Sequence, residues 1–185
     1  MSLIRLLLRF RGLLAWSWWL YRLYGLPLIG PPHEEVWYFA YGANMHDSAF
    51  RGWRGMRPVE WRPGRVRGYR LCFNLEGRPR GMAAPANLFT DPQAEVWGVL
   101  YRLTWRDLVR LDATEGIPWG PYRPLWVEAE DIDGLPLRAA TYMARGREVE
   151  GRPSLRYITL LRDGARDHGL PEHYIRFLEG VEHAQ

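Results

Sequence analysis

The sequence predicts an α+β fold, in which a small, mixed, barrel-like β-sheet is flanked by helices. Strand-like runs lie on both sides of a single amphipathic helix instead of alternating with helices, so the order is not that of repeated βαβ units. Two further helical patterns follow near the C-terminal end. The chain has 185 residues, of which 47% are hydrophobic and 25% charged, and this suits one domain with a buried core and a short appendage.

Five segments have the composition of β-strands, because each is a short run of aromatic and β-branched residues bounded by Gly, Pro or Asp. The first run stops at Gly42, which predicts a tight loop there. A turn containing Asp133 and Gly134 joins the last two runs as a hairpin. The runs are VWYFAY from Val36, RVRGYRLCFNL from Arg65, AEVWGVLYRLT from Ala94, PLWVEAED from Pro124 and PLRAATYMA from Pro136.

The segment TWRDLVRLDATEG, which ends at Gly116, predicts the first helix. Thr104 followed three residues later by Asp107 forms a capping-box start, and Gly116 is a natural C-terminal stop. Near the end of the chain, SLRYITLLRDGARDHG and PEHYIRFLEGVEH predict two helices separated by Gly169, Leu170 and Pro171.

We predict a domain boundary between an apolar, Arg-rich leader over residues 1–35 and a globular domain over residues 36–185. The longest uncharged run of the leader, from Gly12 to Tyr21, is shorter than the roughly 20 residues that cross a bilayer. Its tryptophans favour the membrane interface, and its arginines suit anionic headgroups. The leader therefore predicts an interfacial helix, and with it a cytoplasmic protein that lies peripherally at the membrane.

Three other interpretations of the leader remain open. A basic start and an apolar stretch suit a signal peptide, although no small-x-small cleavage site follows. The leader could instead be an extra helix packed on the domain, or the result of a start codon assigned too early.

Charge and composition exclude several classes of function. All 25 basic residues are Arg, so Schiff-base chemistry and P-loop phosphate binding, which need Lys, are excluded. Four arginines precede Glu34, the first acid, so the remaining 21 arginines balance 21 acidic residues and leave no basic stripe for a nucleic acid. Cys72 is the single cysteine, which rules out an internal disulfide, and its apolar surroundings predict a buried residue. The five histidines show no metal-binding or triad spacing.

Glu115 is the first candidate for chemistry. It lies four residues after Leu111 and seven after Leu108, and so on the apolar face at the last turn of the first helix. Desolvation and the helix dipole should both raise the pKa of its carboxyl toward the range useful for proton transfer. The alternative is a helix-end carboxylate exposed to solvent.

The second candidate is the loop YGANM, from Tyr41 to Met45. A strand that ends in Gly at a tight turn exposes consecutive backbone N–H groups, which can hold a carboxylate or a developing oxyanion. The motif alone is weak, since an ordinary turn has the same pattern.

Four segments together resemble the γ-glutamyl cyclotransferase (AIG2-like) family, in order and spacing from about Trp37 to Leu178. YFAYGANM is similar to the family loop YGSNM, and AEVWGVLYRLT is similar to the strand before its catalytic helix. LDATEGIPWGPYRP resembles its LD-x-x-EG-x-x-x-G-x-Y segment. The C-terminal helical region, with GLP between its helices, is also similar to that of the family.

The resemblance implies that Glu115 is the catalytic acid/base. The substrate-binding residues that it implies are Tyr41, Gly42, Ala43, Asn44, Tyr122 and Tyr157. Tyr157 also shares a helix face with Leu160, Leu161 and Gly164, so core packing is an alternative for it. Ala43 departs from the family, which often has Ser there, and a hydrogen bond from that hydroxyl would be absent.

The reaction implied is an intramolecular cyclisation that converts a γ-glutamyl amino acid or amine to 5-oxoproline and the free amino acid or amine. It needs no metal or organic cofactor, and the expected protein is a monomer or homodimer. Alternatives are a relative that acts on γ-glutamyl amines, isopeptides or an antibiotic precursor, and a non-catalytic module that binds a γ-glutamyl-like molecule. An adaptor function carried by the basic leader is a third alternative.

Overall fold

The computed structural model describes residues 34–76, 84–117 and 120–184. Its five strands close into a barrel in the order β1-β3-β2-β4-β5. The strands are β1 (Glu35–Ala40), β2 (Glu60–Cys72), β3 (Asn87–Thr104), β4 (Tyr122–Asp131) and β5 (Pro136–Ala144). The helices are α1 (Trp105–Thr114), α2 (Leu155–Asp167) and α3 (Glu172–Glu179). The predicted fold class is confirmed.

Pairing between the first and last strands closes the barrel. β1 runs parallel to β5, with Tyr38 opposite Ala140, whereas the other strand pairs are antiparallel. The inward side chains form one core in which Phe39, Leu100 and Leu103 are fully buried. This closure brings residues from β1, β4 and β5 to one end of the barrel, next to the C-terminal end of α1.

The predicted starts of β2 and β3 are wrong, although both strands exist. β2 begins at Glu60 instead of Arg65, and β3 begins at Asn87 instead of Ala94. The added parts pair within the barrel, as Trp61 does with Tyr101. These stretches contain Pro, Asp and Gln, so their own composition does not signal a strand, and the pairing partner determines the structure.

The predicted limits of α1 are confirmed. The Thr104 hydroxyl accepts a hydrogen bond from the Asp107 backbone N–H at 3.2 Å, which satisfies one N-terminal donor of the helix. After the helix, Gly116 has a φ of +76°, a left-handed conformation that favours glycine. The helix therefore ends at a fixed point, and Glu115 occupies its C-cap position.

A short helical passage between β1 and β2 carries the loop toward α2. Residues Ala43–Met45 form a 3₁₀-helix and Ser48–Trp53 a π-helix, neither of which the sequence predicted. A Cβ atom at Gly164 of α2 would lie 2.7 Å from the Met45 carbonyl carbon, so the helix and loop backbones touch directly. This contact holds α2 against the end of the YGANM loop, and Tyr157, near the start of the helix, lies beside Gly42.

The leader lies almost entirely outside the described residues, so the boundary at residue 35 stays a prediction. Within residues 34–76, 84–117 and 120–184, no helix is both long enough and apolar enough to cross a bilayer. Cys72 is fully buried, as predicted, and burial raises the pKa of its thiol to about 11.

Candidate active site

A cavity of about 160 Å³ lies where β1 ends, between the C-terminal end of α1 and the N-terminal part of α2. It contains all seven site residues that the sequence singled out: Tyr41, Gly42, Ala43, Asn44, Glu115, Tyr122 and Tyr157. The lining also includes five residues that the sequence reasoning missed: Tyr38, Arg54, Pro85, Ala86 and Tyr142.

The Glu115 carboxylate lies in this cavity with its side chain only 11% exposed, which is inconsistent with a solvent-exposed helix end. Its Oε1 atom pairs with the Arg54 guanidinium at 3.0 Å. The same oxygen accepts a hydrogen bond from Asn44 Nδ2 at 3.1 Å. Both contacts are made by one carboxylate oxygen.

Opposing effects act on the protonation of Glu115. Burial raises the pKa of its carboxyl, whereas the Arg54 charge and the Asn44 hydrogen bond lower it. Burial is the largest of these effects, so the pKa lies above the ordinary value of a glutamate. A carboxyl with a raised pKa is suited to exchange protons closer to neutrality.

The Asn44 side chain links three groups of the site. Its Nδ2 atom donates to Glu115 Oε1 and also to the Tyr38 hydroxyl, the latter at 2.8 Å. Its Oδ1 atom accepts from Arg54 Nε at 2.5 Å. Both amide hydrogens thus have acceptors, and the guanidinium identifies which end of the amide is the oxygen.

The Tyr157 hydroxyl oxygen faces two backbone donors. It accepts a hydrogen bond from the Ala86 N–H at 3.1 Å, and the Ala43 backbone N–H is close enough to lower the pKa of the phenol against the larger effect of burial. The Tyr157 hydroxyl lines the cavity while its ring packs against the core, so the residue belongs to both. The oxygen accepts from the Ala86 N–H and none of the described residues accepts the hydroxyl proton, which leaves this proton available to a ligand.

Three other tyrosine hydroxyls in the cavity donate to protein acceptors. Tyr41 donates to the Tyr142 carbonyl at 2.6 Å, and Tyr122 donates to the Ala86 carbonyl at 2.7 Å. Tyr142 donates to Asp112 Oδ1 at 2.5 Å. Burial raises the pKa of all five cavity tyrosines, so each stays neutral at physiological pH.

The residues that the sequence reasoning missed gave little signal. Tyr38 and Tyr142 lie within strand runs, where an aromatic residue usually indicates core packing. Arg54 belongs to no motif, and it lies directly after the π-helix, which the sequence did not predict. Knowledge that β1 pairs with β5 would have placed Tyr38 near Tyr142, since Tyr38 lies opposite Ala140.

The described part of the chain contains no group of three or more His, Cys, Asp or Glu side chains arranged to hold a metal ion. The polar groups of the cavity are instead one carboxylate, one guanidinium, one amide and five phenols. Such a set can exchange a proton and donate hydrogen bonds to an anionic ligand.

Comparison with known proteins gives consistent matches. The AIG2-like family model matches residues 95–178. A γ-glutamylcyclotransferase of Bos taurus is 30% identical over 155 residues, which cover 80% of this chain and 80% of the relative. The γ-glutamyl cyclotransferase aclK of Aspergillus oryzae is 30% identical over 171 residues, covering 81% of this chain and 63% of that protein.

A solved structure of a γ-glutamyl cyclotransferase has a TM-score of 0.72 and 26% identity to this chain. The alignment covers 82% of this chain and 90% of that structure, so the likeness extends over most of both chains. The chain belongs to the γ-glutamylcyclotransferase family and is an enzyme of that type.

Proposed function

We propose that the enzyme cyclises a γ-glutamyl amino acid or amine to 5-oxoproline and releases the free amino acid or amine, with Glu115 as the proton shuttle. One observation carries the proposal: a carboxylate with a raised pKa lies in a small cavity and is held through one oxygen only. The other oxygen, Oε2, has no hydrogen bond to any described residue. It is also not fully buried, so it is accessible from the cavity.

Glu115 serves both halves of this reaction. Oε2 first accepts a proton from the substrate's α-ammonium group. The free amine then attacks the γ-carbonyl carbon of the same molecule, which forms the new C–N bond of the five-membered ring. Collapse of the tetrahedral intermediate breaks the original C–N bond, and the leaving nitrogen takes the proton from Glu115. The ring nitrogen loses a second proton, which the released amine takes up to become an ammonium ion. Nucleophile and electrophile belong to one molecule, so holding the substrate in a folded pose supplies much of the rate acceleration.

Tyr157 and Tyr38 are suited to bind the negative charge of the substrate. Each hydroxyl accepts a hydrogen bond from the protein, Tyr157 from Ala86 and Tyr38 from Asn44, and keeps its own proton. They can therefore donate to the α-carboxylate or to the oxyanion of the intermediate. The Ala43 N–H lies close to the Tyr157 oxygen. In this proposal the Tyr157 hydroxyl therefore donates to the substrate, in place of the loop N–H groups that the sequence suggested.

A panel of γ-glutamyl dipeptides and γ-glutamyl amines tests the proposal. The purified protein is incubated with each compound, and 5-oxoproline and the released amine are measured by mass spectrometry. Comparison of γ-glutamyl-alanine with γ-glutamyl-ethylamine, which differ by one carboxylate, shows which leaving group the enzyme prefers. Release of the amine without 5-oxoproline would exclude the cyclisation and indicate hydrolysis instead.

The Glu115→Gln variant tests the role of the carboxylate. Gln preserves size and can still accept the hydrogen bonds from Arg54 and Asn44, so the fold should survive, but it cannot shuttle a proton. We expect turnover to fall by about 10²- to 10⁴-fold with a much smaller change in substrate binding. Glu128→Gln is the matched control, since Glu128 is exposed on β4. Near-wild-type turnover in a folded Glu115→Gln protein would refute the mechanism.

A further inference from the structure

We infer that Arg54 is a positioning residue, which clamps one oxygen of Glu115 and so turns the other toward the substrate. The inference rests on the proposed role of Glu115 as the proton shuttle. It concerns a residue that no sequence motif indicated and that lies 61 positions before Glu115 in the chain.

The guanidinium makes three contacts through three different nitrogens. Nη2 pairs with Glu115 Oε1 at 3.0 Å, and Nε donates to Asn44 Oδ1 at 2.5 Å. Nη1 donates to the Thr114 hydroxyl at 2.7 Å. The planar guanidinium fork thus connects the YGANM loop to two successive residues at the end of α1, a geometry that a lysine ammonium cannot reproduce.

The partners of Arg54 are themselves held in place. The Thr114 hydroxyl donates to the Leu111 carbonyl at 2.8 Å, which ties it to α1. The Arg54 backbone N–H bonds to the Ala49 carbonyl at 3.1 Å, which ties it to the π-helix. The Arg54 side chain is 24% exposed, and both its backbone and its partner Thr114 are held by hydrogen bonds. A free surface arginine would instead sample many rotamers.

The contacts divide the Glu115 carboxylate into two unlike oxygens. Arg54 and Asn44 both contact Oε1, and Arg54 in turn orients the Asn44 amide by donating a hydrogen bond to its oxygen. Among the described residues nothing bonds to Oε2. A proton that enters or leaves Glu115 therefore does so at Oε2, on the side of the cavity.

Arg54 also affects the pH range over which Glu115 is ionised. Its charge lowers the pKa of Glu115 against the effect of burial. The other ionisable groups near Glu115 are five phenols and the Asp112 carboxyl of α1, which accepts a hydrogen bond from Tyr142. The phenols stay neutral near physiological pH, and among the described residues Arg54 is the charged group that shifts the pKa of Glu115. The phenols are Tyr38 on β1, Tyr41 directly after it, Tyr122 on β4, Tyr142 on β5 and Tyr157 on α2.

Two substitutions separate the charge of Arg54 from its geometry. Arg54→Gln removes the charge, so the acid limb of the kcat/KM profile should move to higher pH by about 1 pH unit or more. Arg54→Lys keeps the charge but loses the three-way fork, so the limb should stay near its wild-type position while kcat falls about 10-fold. KM for γ-glutamyl-alanine should change less than kcat in both variants.

Arg110→Gln is the matched control. Arg110 lies on α1 near Glu115 in sequence, but its guanidinium forms an exposed pair with Asp107. Removal of this charge should leave both the acid limb of the kcat/KM profile and kcat unchanged.

Titration of the Glu115 side-chain carboxyl by ¹³C NMR supplies a readout that does not depend on turnover. The Glu115 signal is assigned by its absence in Glu115→Gln. The midpoint of the Glu115 titration curve should move to higher pH in Arg54→Gln and stay at its wild-type pH in Arg110→Gln. If Glu115→Gln remains active, the proposed function fails, and the titration still decides whether Arg54 acts on Glu115.

Three results would overturn the inference. The first is an unchanged titration of Glu115 in folded Arg54→Gln. The second is a raised KM with unchanged kcat and pH profile, because Arg54 would then bind substrate directly. The third is wild-type kcat in Arg54→Lys, because the fork geometry of Arg54 would then be unnecessary. This result can be obtained even if Arg54→Gln does not fold.

Discussion

Gly42 and the Tyr157 hydroxyl are in near-contact: a Cβ atom added to Gly42 would lie 3.1 Å from that oxygen. The same atom would lie 3.4 Å from the Ala86 side chain. Gly42 has a φ of −121°, which ordinary residues can adopt. A side chain here would therefore act by pushing on Tyr157 and filling the cavity, and not by straining the backbone.

Gly42→Val should abolish turnover, or reduce it by at least about 10²-fold, because the branched side chain displaces the Tyr157 hydroxyl from its two backbone donors. Steady-state kinetics with a γ-glutamyl dipeptide measures the effect, and circular dichroism checks the fold. Gly52→Val is the control, since the nearest atom to a Cβ there is 3.9 Å away. Unimpaired turnover in Gly42→Val would remove the loop from the site.

Tyr157→Phe should reduce kcat/KM by roughly 10-fold or more, while Tyr122→Phe should have a clearly smaller effect. Both hydroxyls contact Ala86, but Tyr122 donates its proton to the Ala86 carbonyl, whereas Tyr157 accepts from the Ala86 N–H and keeps its proton. Only the loss of a free donor weakens binding of substrate charge. Equal losses in the two variants would mean that the phenols support the cavity wall and do not bind substrate.

Glu115→Gln should be more stable relative to wild type at pH 8 than at pH 4. The pKa of Glu115 is raised in the folded protein by burial, so the folded state holds the proton more tightly than the unfolded state. That contribution to stability is complete below the unfolded-state pKa of about 4.3 and is lost as pH rises through the folded-state value. Gln does not titrate, so the variant does not lose this contribution to stability as the pH rises.

Thermal unfolding of both proteins across this pH range measures the difference in Tm. A Tm difference for Glu115→Gln that stays constant across this pH range would mean that the pKa of Glu115 is not raised.

The leader should bind the full-length protein to anionic vesicles more strongly than to neutral ones. Arg5, Arg9, Arg11 and Arg22 carry positive charge without an acid among them, and each is worth about 1 kcal/mol near an anionic surface. Replacing the four arginines by Gln should abolish the preference in a sedimentation assay and leave turnover intact. Equal binding to both vesicle types, or to neither, would contradict an electrostatic anchor.

Local patterns in the sequence were enough to predict that the five strands exist, the limits of α1 and the position of Glu115, although not where β2 and β3 begin. The Thr104 cap and the positive φ of Gly116 place both ends of α1, and the spacing from Leu108 and Leu111 places the carboxylate on the buried face. Each of these signals depends on residues within a few positions of one another. Tertiary structure did not alter them.

Contacts between distant parts of the chain were not predictable in this way. Arg54 reaches Glu115 through an unpredicted π-helix, and Tyr38 joins Tyr142 through the parallel pairing that closes the barrel. Neither contact has a periodic pattern or a motif, because each depends on how separate elements meet. The fold class could therefore be predicted before the structure, whereas the partners that orient Glu115 could not.

The direct backbone contact between Gly164 and Met45 has a consequence for how the enzyme uses substrate affinity. Since helix α2 and the loop touch without intervening side chains, we expect the wall that carries Gly42 and Tyr157 to be formed before a ligand arrives. Ordering this wall would then consume none of the interaction energy of the substrate, which would remain available to bend it toward a cyclic product. Preorganisation of this kind would make Gly164, a residue with no role in the chemistry, a determinant of catalytic efficiency.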